Sequence, residues 1–388
     1  MRIAPNLSVV CAVILSACSG GMDTDSSAAR LVAPSSARLD KAESEVHGAV
    51  FTATNGANGN AVVAFARGDD GSLIFAGTFN TGGKGIGGTT DPLASQYSLL
   101  LDGEDDRLLF VVNAGSNNVS TFRVNGASLT LVGTTGSGGT LPTSLAIAKH
   151  TLYVLNAGSN TVRGFDVGPN GDLTANTAAS AALSTGASGA AAIRASRDGK
   201  FLVVTEKGSR TIDVFAIGGQ GQLGSAVQTA SAGIAPFGFD FVKESQIAVS
   251  EAGSAAASLY AVAKSGALAV ESPSVSTNGQ AAPCWLIATT NGRFAYTANA
   301  GSGTISGYSV DAQGMFRLLM PTGISGSTGA GSTPLDLDLS RGDRYLYVLE
   351  SGAGRIGAFA VGEQGSLTAL AGIGGLTPQS GLQGIAAY

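Results

Sequence analysis

Histidine is almost missing: the 388 residues hold two, His47 and His150. A Ser-His-Asp triad needs an imidazole to carry the proton, and His-based metal sites need one as a ligand. His47 precedes the first repeat described below. His150 falls in a hairpin at the end of the molecule opposite the expected site, so neither chemistry has its members. The three cysteines show no metal-ligand spacing, which excludes a structural zinc site. Charged residues are 13%, about half the usual share of roughly 25%. With 22 basic and 27 acidic side chains the net charge is −5. A nucleic-acid surface needs clustered positive charge, so no nucleic-acid partner is expected. A single tryptophan stands against 15 phenylalanines and 8 tyrosines, which points to many similar packing units rather than one aromatic centre. Two stretches read G-x-G-x-x-G, Gly83 to Gly88 and Gly352 to Gly357, but neither opens a helix. Roughly one such match arises by chance at this glycine content, so no cofactor is expected.

What is present begins with an address. Arg2 opens a short charged region, Leu7 to Ala17 runs mostly apolar, and it ends Leu15-Ser16-Ala17-Cys18. A short apolar stretch closed by small residues is an export signal rather than a membrane-spanning helix. The Cys after the small pair resembles the lipobox of bacterial lipoproteins. The resemblance implies cleavage before Cys18 and a lipid on Cys18, which would tether the chain to a membrane of the cell envelope, the outer one in a Gram-negative host. Residues 1–17 are then the signal. Residues 18–47, rich in Ser, Ala and Asp without a clear period, read as a flexible tether. Cys11 goes with the signal, Cys18 becomes a thioether, and Cys284 is left alone, so no intrachain disulfide is expected.

From residue 48 onward the chain repeats itself. Seven apolar segments end in an aromatic: Phe65, Phe122, Phe165, Phe215, Tyr260, Tyr308 and Phe359. Their mean spacing is about 49 residues. Each is followed by a glycine and then a large apolar residue, as in Gly71 with Leu73 or Gly221 with Leu223. A glycine fixed between two apolar runs marks a hairpin turn, because it alone takes positive φ without strain. Each unit holds four short strands and no sustained helical period. Four strands per roughly 40–50 residues is the mark of a β-propeller. The expectation is an all-β, seven-bladed propeller over 48–388. The first unit lacks its leading strand; Leu382 to Ala387 supplies it, with Gln383-Gly384-Ile385 in register with Leu335-Asp336-Leu337, closing the ring without an open edge. A monomer is expected.

In such a ring the starts of the first strands and the ends of the second strands share one rim, where ligands usually bind. The second strands end in Asn55, Asn113, Asn156, Glu206, Glu251, Asn299 and Glu350. The first strands open at Gln383, Tyr97, Thr143, Ala191, Phe237, Cys284 and Leu335, with Trp285 and Asp336 next in line. Glu206, Glu251 and Glu350 could form an acidic arc, and Lys207 and Arg194 place cations near Glu206. A carboxylate beside a cation suits the binding or hydrolysis of a small lactone or sugar acid. The same Asn and Glu residues would equally serve to bond loop amides in their turns. Glu206 and Arg194 are the catalytic candidates. Lys207, Glu251, Trp285, Asn299 and Glu350 are the ligand-binding candidates. Cys284 reads as a small buried hydrophobe rather than a nucleophile.

Phe51 to Phe65, Gly233 to Glu251, Ala282-Pro283-Cys284-Trp285, Thr297 to Tyr308 and Pro334 to Leu349 resemble the seven-bladed lactonase-type propellers, a family with 6-phosphogluconolactonases and carboxymuconate cyclases among its members. The resemblance covers residues 48–388 and implies a lactone-acting hydrolase. It also implies a Pro-His pair opening an inner strand, with Arg and Glu nearby. Here the strand with Arg194 reads Gly189-Ala190-Ala191-Ala192, without that His. Two functions are therefore expected in order: an envelope-tethered platform that binds a small molecule or envelope partner at the rim without strong catalysis, and a hydrolase of a sugar lactone whose turnover would fall in Glu206→Gln.

Overall fold

The repeated aromatic sets the architecture. Phe65, Phe122, Phe165, Phe215, Tyr260, Tyr308 and Phe359 each expose 4% or less, because each lies on a third strand wedged between neighbouring sheets. In the computed structural model, which describes residues 48–102, 107–183, 188–311 and 313–388, seven antiparallel sheets form seven blades around an axis. The signal, the tether, Cys18 and His47 lie outside the described residues.

Blade 4 shows the plan: Ala190–Ala195 innermost, then Phe201–Glu206, Thr211–Ala216 and Val227–Ala230 outermost. The inner strand of blade 5 is Pro236–Lys243, of blade 6 Pro283–Ala288, and of blade 7 Pro334–Leu339. Blade 6 splits its outer strand, so Phe316–Leu318 and Gly326–Ser327 both pair with Thr304–Val310. The one helical element among the described residues is a turn at Arg341–Asp343. Inner and second strands are buried on both faces, since each sheet is covered by the next, while outer strands such as Leu73–Asn80 alternate between buried and exposed.

Gln383–Ala387 pairs with Gly48–Ala53 and completes blade 1. Ile385 faces Thr52 as Leu337 faces Val348 in blade 7, the register expected from the sequence. The turn glycines have a second use. Tyr153, Tyr296 and Tyr347 donate their hydroxyls across blade boundaries to the carbonyls of Gly221, Gly365 and Gly71, at 2.7, 3.0 and 2.9 Å. All three glycines sit at φ near +80°, so the tight turn both reverses the chain and presents an acceptor to the neighbouring blade.

Inner strands carry a burden that outer ones do not: one edge faces the axis, where no further strand can satisfy its amides. Side chains of the preceding blade do so. Asp240 and Asp338 stand at the same level of blades 5 and 7. Asp240 accepts the amide of Ala288 at 3.0 Å and Asp338 that of Ala387 at 2.9 Å. Ser144 accepts the amide of Ile193 in the same way.

Candidate functional site at the mouth of the central channel

Most rim side chains at the ends of the second strands turn into their own blades, although Asn113 also accepts from Asn60 and Thr81, and Asn156 donates to the Ser137 carbonyl between blades 2 and 3. Asn113 donates to Ser120, Glu251 accepts from Ser258 and Ser274, and Asn299 donates to Thr304 and Ser306. Glu206 accepts from Ser209 at 2.6 Å and faces Asp213. In each case the partner on the third strand includes the residue seven positions on. Glu350 meets a glycine there, Gly357, and its carboxylate fills the space a side chain would take, 3.5 Å from Arg355. Glu206, Glu251 and Glu350 expose 2% or less, so the expected arc is instead three separate contacts, each inside one blade. In blade 1 the pairing of Ala53 with Val62 puts Thr54 at the equivalent position, and Asn55 lies one residue beyond it with φ of 50°.

Arg194 and Glu206 are not brought together. Glu206 pairs with Ala190 at the mouth, whereas Arg194 pairs with Val203, deeper in the channel. Arg194 forms an ion pair with Asp240 at 2.8 Å and lies 4.5 Å from the centre of the Tyr97 ring. Burial works against its charge, but Asp240, Tyr97 and Asp338 hold the guanidinium protonated. Burial also pushes the Asp338 carboxyl up to about 7, with Arg194 pulling the other way, and it raises Asp336 further, helped by repulsion from Asp338. Trp285 is buried, packed edge-on to Phe237 at 5.2 Å, and Cys284 is buried in the same cluster.

What separates Arg194 from the mouth is a segment the repeat pattern does not contain. After Asn80 the chain takes residues 81–98 to reach the inner strand Leu99–Leu101 of blade 2, where the turns at 137–141 and 231–235 suffice elsewhere. Its first half lies on the loops of blades 1 and 2: Gly85 donates to the carbonyl of Gly56 and Gly115 to that of Lys84, both at 2.9 Å. A side chain at Gly85 would collide with the backbone of Asn55, so the G-x-G-x-x-G stretch serves close packing of backbone on backbone.

The second half drops into the channel and plugs it. Ser95 donates to the Thr143 carbonyl in blade 3 at 2.8 Å, and the Gln96 amide to Ala191 in blade 4 at 3.1 Å. The Tyr97 hydroxyl donates to Phe239 in blade 5 at 2.8 Å. The Gln96 side chain pairs with the backbone of Leu286 in blade 6, at 2.8 and 3.3 Å, and Trp285 donates to Ser95 at 2.8 Å. Asp336 of blade 7 accepts the Tyr97 amide at 3.4 Å. One strap thus bonds to blades 3 through 7, and the small residues Ala190–Ala192 leave it room.

Lys207 and Asp91 stand on the mouth side of the plug. Lys207 donates from Nζ to the Ala94 carbonyl at 2.8 Å, and its ammonium lies 5.2 Å from the centre of the Phe237 ring. Asp91 accepts from Gln383 at 3.2 Å through Oδ1, while Oδ2 is buried without a hydrogen-bond partner. Burial raises the Asp91 carboxyl to about 7; Lys207, the Gln383 contact and the backbone amides of Ala94 and Ser95 pull it down. The plug and Asp91 were missed from sequence. The available signal was the length of the connection between the first two repeats. Among the described residues no group of three or more His, Cys, Asp or Glu side chains could hold a metal ion, and no helix is long and apolar enough to cross a membrane.

The family described as "Lactonase, 7-bladed beta-propeller" matches residues 59–181 and 148–281. No curated protein matches the chain. Among solved structures, a protein from Lactobacillus plantarum superposes with a TM-score of 0.70 at 16% identity, covering 88% of this chain and 99% of that one. A candidate 6-phosphogluconolactonase from Bacteroides fragilis gives 0.68 at 17%, covering 88% and 98%. The periplasmic gluconolactonase of Pseudomonas aeruginosa gives 0.64 at 19%, covering 87% and 98%. At these identities the structures establish a shared fold. The family match spans more than half of the sequence, and with the seven four-stranded blades in place the chain belongs to the lactonase family of seven-bladed β-propellers.

Proposed function

We propose that the protein hydrolyses a small lactone of a polyhydroxy acid, working at the mouth of the channel above the plug. The observation that carries this reading is the position of Lys207: its ammonium is held at the mouth, over a floor closed by the strap and backed by Phe237 and Trp285. Ring opening of a lactone passes through an oxyanion and ends in a carboxylate, and a fixed cation favours both over the neutral ester. Family membership and the fold shared with a gluconolactonase support the same chemistry. Proton release by the purified protein on a panel of aldonolactones, phosphorylated and not, tests it. Saturable turnover above the spontaneous rate is expected, and its absence across the panel in a folded protein would overturn the reading. Glu206→Gln is expected to leave turnover within about threefold, because Glu206 is engaged by Ser209 and Asp213 inside its own blade.

A non-catalytic binding platform is favoured by one observation, the engagement of Glu206, Glu251 and Asn299 inside their own blades, which leaves the rim carboxylates tied up rather than poised for proton transfer. This reading expects a sugar acid to bind and raise Tm while no lactone turns over. For location we propose export and tethering to the envelope through a lipid on Cys18, supported by the Leu15-Ser16-Ala17-Cys18 sequence. Cys18→Ala is expected to move the protein from the membrane fraction to the soluble one on fractionation.

A further inference from the structure

We propose that blade 5 carries a binding pocket for a small zwitterion of the amino-acid class, at the end of the ring opposite the mouth, with the ligand's ammonium held by Glu271 and its carboxylate by Lys243. The site stands apart from the hydrolase reading and does not depend on it.

The pocket arises where blade 5 departs from its neighbours. The second strands of blades 4, 6 and 7 begin with Phe201, Phe294 and Tyr345, whereas that of blade 5 begins with Gln246. The turn glycine of the following blade packs on the residue at this place: Gly365 on Phe294, Gly71 on Tyr345 and Gly314 on Gln246. Blades 6 and 7 thus put an aromatic ring beneath that turn. In blade 5 the slimmer Gln246 stands in a row with Lys243, Ala261 and Ala269, one residue from each strand. Each is paired directly with the next, so the four side chains share one face of the sheet. Two alanines and an amide leave an open pocket of about 380 Å³ along the row, room for a small metabolite.

The charges of the pocket sit at its two ends. Lys243 comes from the inner strand and Glu271 from the outer one, and both are exposed. Neighbouring strands lie about 4.8 Å apart, which puts the two backbones roughly 14 Å from each other. That span is long for the side chains to meet, and among the described residues neither Lys243 nor Glu271 forms an ion pair. A ligand with one charge of each sign, presented in the opposite order, satisfies both ends at once. Ala261 and Ala269 lie between them and offer apolar contact alone, which suits a short aliphatic side chain.

Glu271 is also aimed. Val270 pairs with Tyr260 and Ser272 with Leu259, so Glu271 is the extra residue of a bulge. A bulge redirects a side chain. Here it brings the carboxylate to Gln246, two strands away, whose amide donates to Oε2 at 2.6 Å. The arrangement has a cost. Gln246 Oε1 is buried without a donor, a loss that an aromatic at this position would avoid. Chains depart from the locally stable choice chiefly where a site requires it.

The test is calorimetric titration of the full-length protein with L-valine and with two relatives that each lack one charge, valinamide and N-acetylvaline. Valine is expected to bind with Kd below about 1 mM, and each relative about tenfold more weakly. Glu271→Gln and Lys243→Met are each expected to weaken valine about tenfold. Gln246→Phe restores the ring found in blades 6 and 7. It is expected to abolish binding while Tm stays within about 3 °C of wild type. No heat with valine up to about 10 mM, or binding that survives a folded Gln246→Phe, would overturn the site. If Gln246→Phe does not fold, the two charge variants decide: unchanged valine affinity in both overturns it. Either relative binding as tightly as valine would overturn the zwitterion, because one charge would then suffice.

Discussion

Deleting residues 383–388 is expected to abolish cooperative folding, or to lower Tm by more than about 15 °C, in a thermal melt followed by circular dichroism. The closing strand is short, but its contacts lie on every side. It pairs along Gly48–Ala53, and without it blade 1 keeps three strands with an unpaired inner edge. Ile385 and Ala387 pack into the cluster shared with Tyr347, Leu349 and Val50, and Tyr388 stacks on Phe51 at 6.4 Å. Asp338 loses the Ala387 amide and Arg67 loses the Tyr388 carbonyl. Gln383 leaves Asp91 without its donor. The loss sums a buried strand, a ring closure and several orphaned polar groups, which together approach the roughly 5–15 kcal/mol by which ordinary proteins are stable. A deletion mutant that melted within a few degrees of wild type would mean that the blades stand without closure.

The fold was legible because a propeller writes its period into the chain. The wedge aromatics Phe65 to Phe359 and the turn glycines recur because each blade solves the same packing problem. Even the register of the closing strand could be read against Leu335-Asp336-Leu337. Side-chain direction on the inner strands could not. Alternation reveals a buried face only when the other face is wet, and Pro283–Ala288 is buried at every position. Arg194 and Trp285 were therefore placed on the right strands without a direction, and the structure puts Arg194 under the plug and Trp285 beneath it as a support.

The rim residues teach a second lesson. Glu206, Glu251 and Asn299 stand where polar side chains often meet ligands, yet Asp213, Ser258 and Ser306 stand seven residues on, each fully buried in a third strand. A buried polar residue in such a strand needs a partner, and that spacing is the visible trace of one. The plug left no such trace. It occurs once rather than seven times, its contacts reach from residue 96 to 286, and its polar groups bond to backbone, which leaves no residue-type pattern in the chain.

The Glu206–Asp213 contact makes the pH dependence of stability predictable. Asp213 Oδ2 has no donor and faces the Glu206 carboxyl, and both residues are fully buried, so the contact is closed by a proton that Asp213 holds and donates to Glu206. Burial, with repulsion from Glu206, raises the Asp213 carboxyl from 3.8 to about 7. The folded protein then binds a proton that the unfolded chain releases near pH 4. Stability falls wherever the folded state holds more protons, so the contribution of this pair declines from about pH 4 to about pH 7 and levels off above. Asp91, Asp338 and Glu350, likewise raised to about 7 by burial, add to the decline in the same window, and Asp336, raised further by burial and by Asp338, carries it above pH 7. Asp70, Asp198 and Asp311 are shifted the other way, but they lie at the surface, where solvent screens the effect. Tm is therefore expected to be about 10 °C lower at pH 8 than at pH 5, since each kcal/mol moves Tm by roughly 2–4 °C in a domain of this size. Asp213→Asn isolates the pair. Its amide donates to Glu206 without needing a proton, while its carbonyl keeps the Gln228 donor that now reaches Oδ1 at 3.0 Å. At pH 8 the variant is expected to melt about 5 °C above wild type, and at pH 5, where the wild-type pair already holds its proton, within about 2 °C of it. An offset of the same size at both pH values would show that the two carboxyls do not share a proton, and that the contact matters through shape alone.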